Sequence, residues 1–341
     1  MKYFTEPSGL FVIKIPIEWQ YKNYALGYEE KSPFGFDLYE NPVGAFQISC
    51  YSEDEKPTAK TLKVQEANKD NLEFTKMRKD DDEFNIQLWY ASVEGYTLMA
   101  KYIYDSDKEK DPKVLKEIEK AEKALTTLEL ISEDKRHLAI EIDKYEKFLG
   151  SLAASFDLKN KALENESFIE FSIIVANQID AYLRLSLVLN KQLKEKSSSI
   201  DISLLYQGES DRPIMERKIY KQSKEQGIID DSLFNKLELL YSERNKMVHR
   251  YIISEFRTRD LYQIAYDYEN VCEEVRLRLE ALEDKQFEKQ IGMHGKERNP
   301  RTEHTPEDVR LIYSQANDKH LIDNFERTIT APNNGNCCTS H

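Results

Sequence analysis

The chain has 341 residues, of which 49 are Lys or Arg and 62 are Asp or Glu, and its formal net charge is −13. A chain of this length can form two domains with separate hydrophobic cores. The negative charge excludes a protein covered in basic residues for non-specific nucleic-acid binding, so a nucleic-acid function would need a local basic site.

The sequence also indicates in which compartment the protein is found and whether it binds a metal or a cofactor. It contains no apolar run of the ~20 residues that a membrane helix needs, and residues 1–6 lack the apolar core of a signal peptide. The four cysteines show neither metal-ligand spacing nor a disulfide framework. No glycine-rich phosphate-binding motif occurs. We therefore expect a cytoplasmic protein with no membrane contact, no metal and no cofactor.

Residues 1–130 carry the pattern of an antiparallel α+β sandwich. Apolar residues recur at every second position from Phe11 to Ile17, as in a strand with one buried face. Asp111-Pro112 is a helix-start signal, because proline suits the first helical position. Few, well-spaced helices among strands favour antiparallel sheets. The predicted strands are 11–17, 44–51, 85–93 and 96–104, and the predicted helices are near 58–70 and over 111–128.

Residues 137–285, after a linker at 131–136, show helical periodicity throughout and predict an all-α bundle. The segment 286–341 is polar and is predicted to be a tail with one short helix over 306–316. The predicted bundle helices are 141–156, 168–193, 212–226, 231–254 and 260–284.

The fourth bundle helix carries polar residues where its apolar face continues, in the stretch YSERNKMVHRY from Tyr241 to Tyr251. At about 100° per residue, Arg244 falls near the centre of the apolar stripe. A guanidinium keeps its charge, so it needs a partner there, such as Asp180, or it faces a cleft. The stripe consists of Leu233, Leu237, Leu240, Met247, Val248 and Tyr251.

Asn245 and His249 lie four residues apart on the flank of this stripe and are therefore neighbours. Residues 241–259, which include Arg250, hold five basic and two acidic side chains, a local charge of +3. An imidazole can move protons near neutral pH, and an arginine fork can grip two phosphate oxygens. These residue types suit RNA cleavage by the strand's own 2′-hydroxyl.

The spacing of Arg and His alone is weak evidence. Arg298 and His304 in the tail have a similar spacing, but Pro300 breaks any helix there. On an ideal helix Arg244 and His249 point about 140° apart. They would converge only through the reach of the arginine or across a dimer.

Arg244-Asn245 followed by His249 on a late helix of a bundle resembles the HEPN superfamily. Asp180 and Arg184 are similar to the acidic and basic pair on the long early helix of that family, and Arg250 is a further supporting residue. The resemblance implies a homodimeric, metal-independent endoribonuclease of bacterial defence, stress or toxin–antitoxin systems, with Arg244, Asn245 and His249 catalytic. The alternative is a non-catalytic HEPN module that binds nucleotide, RNA or a partner protein.

Two further resemblances concern control. Tyr251 completes the pattern R-x4-H-x-Y of HEPN toxins, which implies that Tyr251 is modified by a nucleotidyltransferase antitoxin. The opening with Phe11, Pro16 and Trp19, followed by GAFQIS, resembles the PsbP-like α/β/α fold. That resemblance implies a sensor or partner domain at residues 1–130, and simple toxins of the R-x4-H-x-Y type lack such a domain.

Overall fold

The computed structural model describes residues 1–25, 32–52, 72–207 and 211–296. These residues divide into two units, 1–143 and 144–296, and each has its own hydrophobic core. Antiparallel sheets dominate the first unit, and helices make up the second. The predicted order of an antiparallel α+β region followed by an all-α region is thereby confirmed.

Nine strands lie in the described part of the first unit. They are β1 (Lys2–Thr5), β2 (Phe11–Ile15), β3 (Trp19–Tyr21), β4 (Phe34–Leu38), β5 (Ala45–Ser52), β6 (Thr75–Asp80), β7 (Phe84–Val93), β8 (Tyr96–Asp105) and β9 (Glu129–Leu130). One sheet has the order β1-β2-β9, and the other has the order β3-β4-β5-β8-β7-β6. All pairings are antiparallel.

The first unit is closed by a short helix α1 (Lys22–Ala25) and an amphipathic helix α2 (Pro112–Leu125). The side chain of Asp111 caps α2 by accepting from the backbone N of Lys113 at 2.8 Å, as its sequence signal predicted. The indole Nε1 of buried Trp19 donates to Oε2 of Glu117 on α2 at 2.6 Å. This bond satisfies a buried donor and ties the helix to the core.

The four predicted strands are confirmed as β2, β5, β7 and β8. The other five strands were not predicted individually, because segments of two to six residues carry too little periodicity. The predicted helix near 58–70 lies outside the described residues.

The second unit is built around the apolar helix α4 (Phe168–Glu195). This helix contacts α5 (Ile202–Leu205), α6 (Glu216–Glu225), α7 (Asp231–Arg250) and α8 (Thr258–Lys289). A 3₁₀ turn, Tyr251–Ile253, follows α7. With that turn, the described helical region holds seven helical segments. The α-helix that precedes α4 is α3 (Glu133–Glu164).

Several helix boundaries differ from the predicted ones, and α3 shows the largest difference, because it ends at Glu164 instead of residue 156. Helix α3 begins at Glu133 instead of residue 141, within the predicted linker, and acidic residues in its first turn favour a helix start. Helix α6 begins at Glu216 instead of residue 212, because the residue before Pro213 disfavours the helical conformation. Helix α8 continues to Lys289, five residues beyond its predicted end. The short helix predicted over 306–316 lies outside the described residues.

Among the described residues, one helix is long and apolar enough to cross a membrane by length and composition, namely α4. Its most apolar stretch is 83% buried inside the protein. The apolar residues of α4 therefore form the core of the second unit, as in the central helix of a soluble protein.

Candidate functional site

Helix α7 is anchored by its apolar face. Asp230 caps it by accepting from the backbone N of Leu233 at 2.9 Å. Leu233, Leu237, Leu240 and Met247 are buried against the core, which confirms these four members of the predicted stripe. The polar residues of α7 are thereby held at fixed positions around the helix.

Arg244 is held from inside by an ion pair. Its Nη2 lies 2.8 Å from Oε2 of Glu216 on α6, and its Nη1 lies 3.1 Å from Oε1 of the same carboxylate. Burial disfavours the charge, but the hydrogen bonds and negative charge of Glu216 outweigh it, so the pKa of Arg244 lies above its ordinary value. Tyr220 also donates to Oε1 of Glu216. The requirement for an anionic partner is confirmed, but the suggested partner, Asp180, is wrong.

Asp180 instead pairs with Arg184, one turn along α4, at 2.6 Å. Burial raises the pKa of Asp180, and the neighbouring arginine opposes the shift. Arg184 also donates to the backbone oxygens of Leu204 and Ile214 at 2.8 and 2.9 Å. Arg184 therefore holds α5 and the residues that lead into α6 against α4. Neither residue lines the groove described next.

A groove of about 610 Å³ runs along the outer face of α7 beside α6. Asn245, His249 and Arg250, all predicted site residues, line it together. The sequence pattern missed Arg217, Glu238 and Tyr241, because nothing in the spacing of α6 indicates which of its residues reaches α7. We call this cavity the α7 groove. Its lining residues are Arg217, Glu238, Tyr241, Ser242, Asn245, Lys246, His249 and Arg250.

Basic side chains dominate the α7 groove, where three cations face one carboxylate, that of Glu238. Arg244 reaches the groove residues from the inner side. Its Nη2 lies 3.5 Å from Oδ1 of Asn245, and its Cζ lies 5.0 Å from the ring centroid of Tyr241. The structure thus brings His249 to the groove surface and places the Arg244 guanidinium behind two lining residues.

The end of α7 differs from the prediction. The helix stops at Arg250, four residues before its predicted end, so the apolar stripe is not continued into the core. Val248 and Tyr251 are 44% and 46% exposed, and Ile252 and Ile253 are 93% and 82% exposed. The predicted burial of Val248 and Tyr251 is therefore wrong. Val248, Ile252 and Ile253 form an exposed apolar tip near His249 in the sequence.

Within the described ranges, no three His, Cys, Asp or Glu side chains lie close enough together to hold a metal ion. The Cys272 thiol is free, and burial raises its pKa to about 12. Cys337 and Cys338 lie outside the described residues. The single carboxylate of the α7 groove is engaged by Arg217.

The ion pair behind α7 predicts a measurable stability effect. Glu216→Ala leaves a largely buried Arg244 without its partner, and Arg244→Ala does the same to the carboxylate. Each is expected to lower the free energy of unfolding of the helical unit by about 1–3 kcal/mol. Since both remove one contact, the double variant should lose less than the sum of the two. Far-UV circular dichroism in urea measures this loss; fluorescence does not, because both tryptophans, Trp19 and Trp89, belong to the first unit.

The matched control is the pair Arg217–Glu238, which joins the same two helices but has an arginine side chain that is 59% exposed. Exposed pairs contribute about 0–1 kcal/mol, so Glu238→Ala should change the free energy of unfolding little. Strictly additive losses for Glu216→Ala and Arg244→Ala would show that the buried pair is not the cause.

No protein-family model matches the chain, and no curated protein matches it significantly. One solved structure with partial similarity is that of a protein from Bacteroides thetaiotaomicron VPI-5482, with 14% sequence identity, covering 51% of this chain and 76% of that chain. The TM-score of 0.26 is too low to support a conclusion about fold or function. The α7 groove is therefore interpreted from its own geometry and chemistry.

Proposed function

We propose that residues 137–285 form a HEPN-type domain and that the α7 groove is the active site of an endoribonuclease. The enzyme would act without a metal in a bacterial defence, stress or toxin–antitoxin system. One observation carries the proposal: Asn245, His249 and Arg250 line one basic groove, and the paired Arg244 touches its wall. These are the residues to which the resemblance to the HEPN superfamily assigns a functional role.

The proposed reaction is attack by the 2′-hydroxyl of the RNA on the adjacent phosphorus. A base removes the 2′-hydroxyl proton, a bond forms from the 2′-oxygen to phosphorus, and the bond to the 5′-oxygen breaks while that oxygen takes up a proton. The products are a 2′,3′-cyclic phosphate and a 5′-hydroxyl. His249 is exposed at the groove surface and suits either proton transfer. Lys246 and Arg250, also exposed there, suit contact with the phosphates.

Arg244 takes a positioning role in this proposal. Glu216 occupies donors on both Nη atoms, which are the atoms that would form a fork on a phosphate. From this position Arg244 orients Asn245 and adds positive charge beside the groove. The groove cations then make the direct phosphate contacts.

A second copy of the chain completes the proposed site. His249 is the one imidazole among the lining residues of the α7 groove, and a single imidazole does not serve readily as base and acid in one turnover. The apolar tip formed by Val248, Ile252 and Ile253 lies on both sides of His249 in the sequence and is exposed. An exposed apolar surface of this kind is typical of an interface. Pairing through the tip would bring two His249 side chains toward one strand.

Other partners follow from the same proposal. RNA is the substrate, and a regulatory protein or antitoxin would act on Tyr251, which is 46% exposed and therefore accessible. An anionic adduct on Tyr251 would repel phosphate from the groove. Residues 1–130 would serve as the sensor or partner domain. Protein carrying Tyr251→Phe should stay active in the presence of such an antitoxin and ATP, and silencing of this variant would remove Tyr251 from the control mechanism.

Incubation of the purified protein with total RNA in EDTA tests the proposed function. Fragments are expected to accumulate at the same rate with and without the chelator, because the proposed reaction uses only side chains. RNA that is bound but left intact would favour the non-catalytic binding module instead. Cleavage that disappears in EDTA and returns with Mg²⁺ would contradict the proposal.

A further inference from the structure

The α7 groove contains a flat, preformed side-chain pair that the cleavage chemistry does not use. Arg217 of α6 donates from Nε to Oε1 of Glu238 on α7 at 3.0 Å, and its Nη2 donates to Oε2 of the same carboxylate. Two parallel hydrogen bonds of this kind hold a guanidinium and a carboxylate in one plane. The Arg217 side chain nevertheless remains 59% exposed.

An aromatic ring supports this pair from the protein side. The Cζ atom of Arg217 lies 5.6 Å from the ring centroid of Tyr241, and Cζ of Arg244 lies 5.0 Å from the same centroid. Arg244 is fixed in turn by Glu216. Tyr241 therefore packs against one buried and one exposed guanidinium, and the exposed one cannot rotate freely.

A rigid, exposed guanidinium plane in a basic groove is suited to one class of ligand. Unpaired nucleobases stack on arginine planes and aromatic rings, and such stacking tolerates every base because each has a π-face. Because Glu238 and Tyr241 already order Arg217, binding would cost little additional side-chain entropy. A base inside a duplex would not present its face, so the geometry favours a single strand.

The pair lies at a distance from the proposed reacting group. Glu238 and His249 are eleven residues apart on one helix, which corresponds to about 16 Å along its axis. A base stacked on Arg217 would therefore belong to a nucleotide other than the two that flank the scissile bond. Contacts at both ends would hold one strand along the groove.

We propose that Arg217, held flat by Glu238 and backed by Tyr241, is a stacking subsite for one unpaired nucleobase of a single-stranded RNA, a few nucleotides from the bond near His249. This inference rests on the proposed function, since it names the substrate class of the same groove. It makes Arg217 a determinant of where the strand is seated. It gives Arg217 no part in the proton transfers.

Fluorescence anisotropy with uncleavable 2′-O-methyl strands tests the subsite. A set of strands carries one abasic position each, and the affinity of the protein for every strand is compared with that for the intact one. For the wild-type protein, one abasic position is expected to lower affinity about 5- to 100-fold. Arg217→Lys keeps the charge but loses the plane, so the sensitivity at that position should disappear.

The matched control is Arg278→Lys, because Arg278 forms an exposed ion pair with Asp230 at 3.1 Å and does not line the groove. This variant should keep the wild-type abasic profile. The same profile in Arg217→Lys, with cleavage intact, would overturn the subsite alone. A sensitive position together with absent cleavage would overturn the proposed reaction alone, and a wild-type protein that binds no strand would overturn both.

Discussion

His249→Ala is expected to lower the rate of RNA cleavage by about 10²–10⁴-fold, which is the usual loss when one positioned acid–base group is removed. The fold should be unaffected, because His249 is exposed at the end of α7. RNA binding should also persist, since the cations of the groove are retained. The measurement is single-turnover cleavage of a labelled strand, together with unfolding in urea.

Two variants sharpen this result. His304→Ala removes the histidine of the similarly spaced pair in the tail, and it should cleave like the wild-type protein. Arg244→Ala should lose cleavage and stability together, because the largely buried carboxylate of Glu216 loses its cationic partner. If His304→Ala were as damaging as His249→Ala, the α7 groove would be the wrong site.

The double variant Ile252→Asp/Ile253→Asp is expected to sediment as a monomer and to lose cleavage by about 10²-fold or more. Both side chains are almost fully exposed in one copy, at 93% and 82%, so the folded protomer tolerates the change. In the proposed dimer they would be covered, and two carboxylates buried without partners would prevent association. Each copy would then have one His249 for two proton transfers.

Leu239→Asp is the control for that experiment, because Leu239 is 62% exposed on α7, outside the apolar tip. It should leave both the sedimentation and the cleavage rate unchanged. A wild-type protein that cleaves RNA fully as a monomer would rule out a site shared between two copies. A double variant that remains dimeric would show that the tip is not the interface.

Local sequence patterns predicted most of the fold. Five of the six α-helices in the described helical region follow from 3.6-residue periodicity, whereas the four-residue α5 was not predicted. The Asp111 cap and the long strands follow from signals within a few residues. The short strands β3 and β4 could not be recognised this way. β3 has three residues and β4 has five, too few for a clear alternation of buried and exposed side chains.

The site shows the same limit at the level of single residues. Helical periodicity placed Arg244 on the inner face, and a buried guanidinium that keeps its charge requires a partner. That partner, Glu216, lies 28 residues earlier on another helix, where no spacing within α7 could indicate it. Asp180, the suggested partner, instead pairs with Arg184, which lies four residues away on the same helix. Arg217 reaches the groove from α6 by tertiary packing alone, so no spacing in the sequence indicated it.

The end of α7 at Arg250 is a further case in which tertiary structure differs from what helical periodicity predicts. Tyr251 lies on the apolar stripe by helical geometry, yet it begins a 3₁₀ turn that ends the helix. The β-branched Ile252 and Ile253 support a helix weakly and find no core to pack against in one copy. Helical periodicity therefore predicted that Tyr251 is buried, but the helix ends before this residue and leaves it 46% exposed.

RNA cleavage in the α7 groove by the strand's own 2′-hydroxyl is tested most directly by the chemistry of the fragment ends. A defined single strand is cleaved by the purified protein in EDTA, and both new ends are identified by mass spectrometry. We predict 2′,3′-cyclic phosphate and 5′-hydroxyl ends, and no cut at a position where the 2′-hydroxyl is replaced by hydrogen. Fragments with 3′-hydroxyl and 5′-phosphate ends, or cleavage at the 2′-deoxy position, would contradict the proposed mechanism.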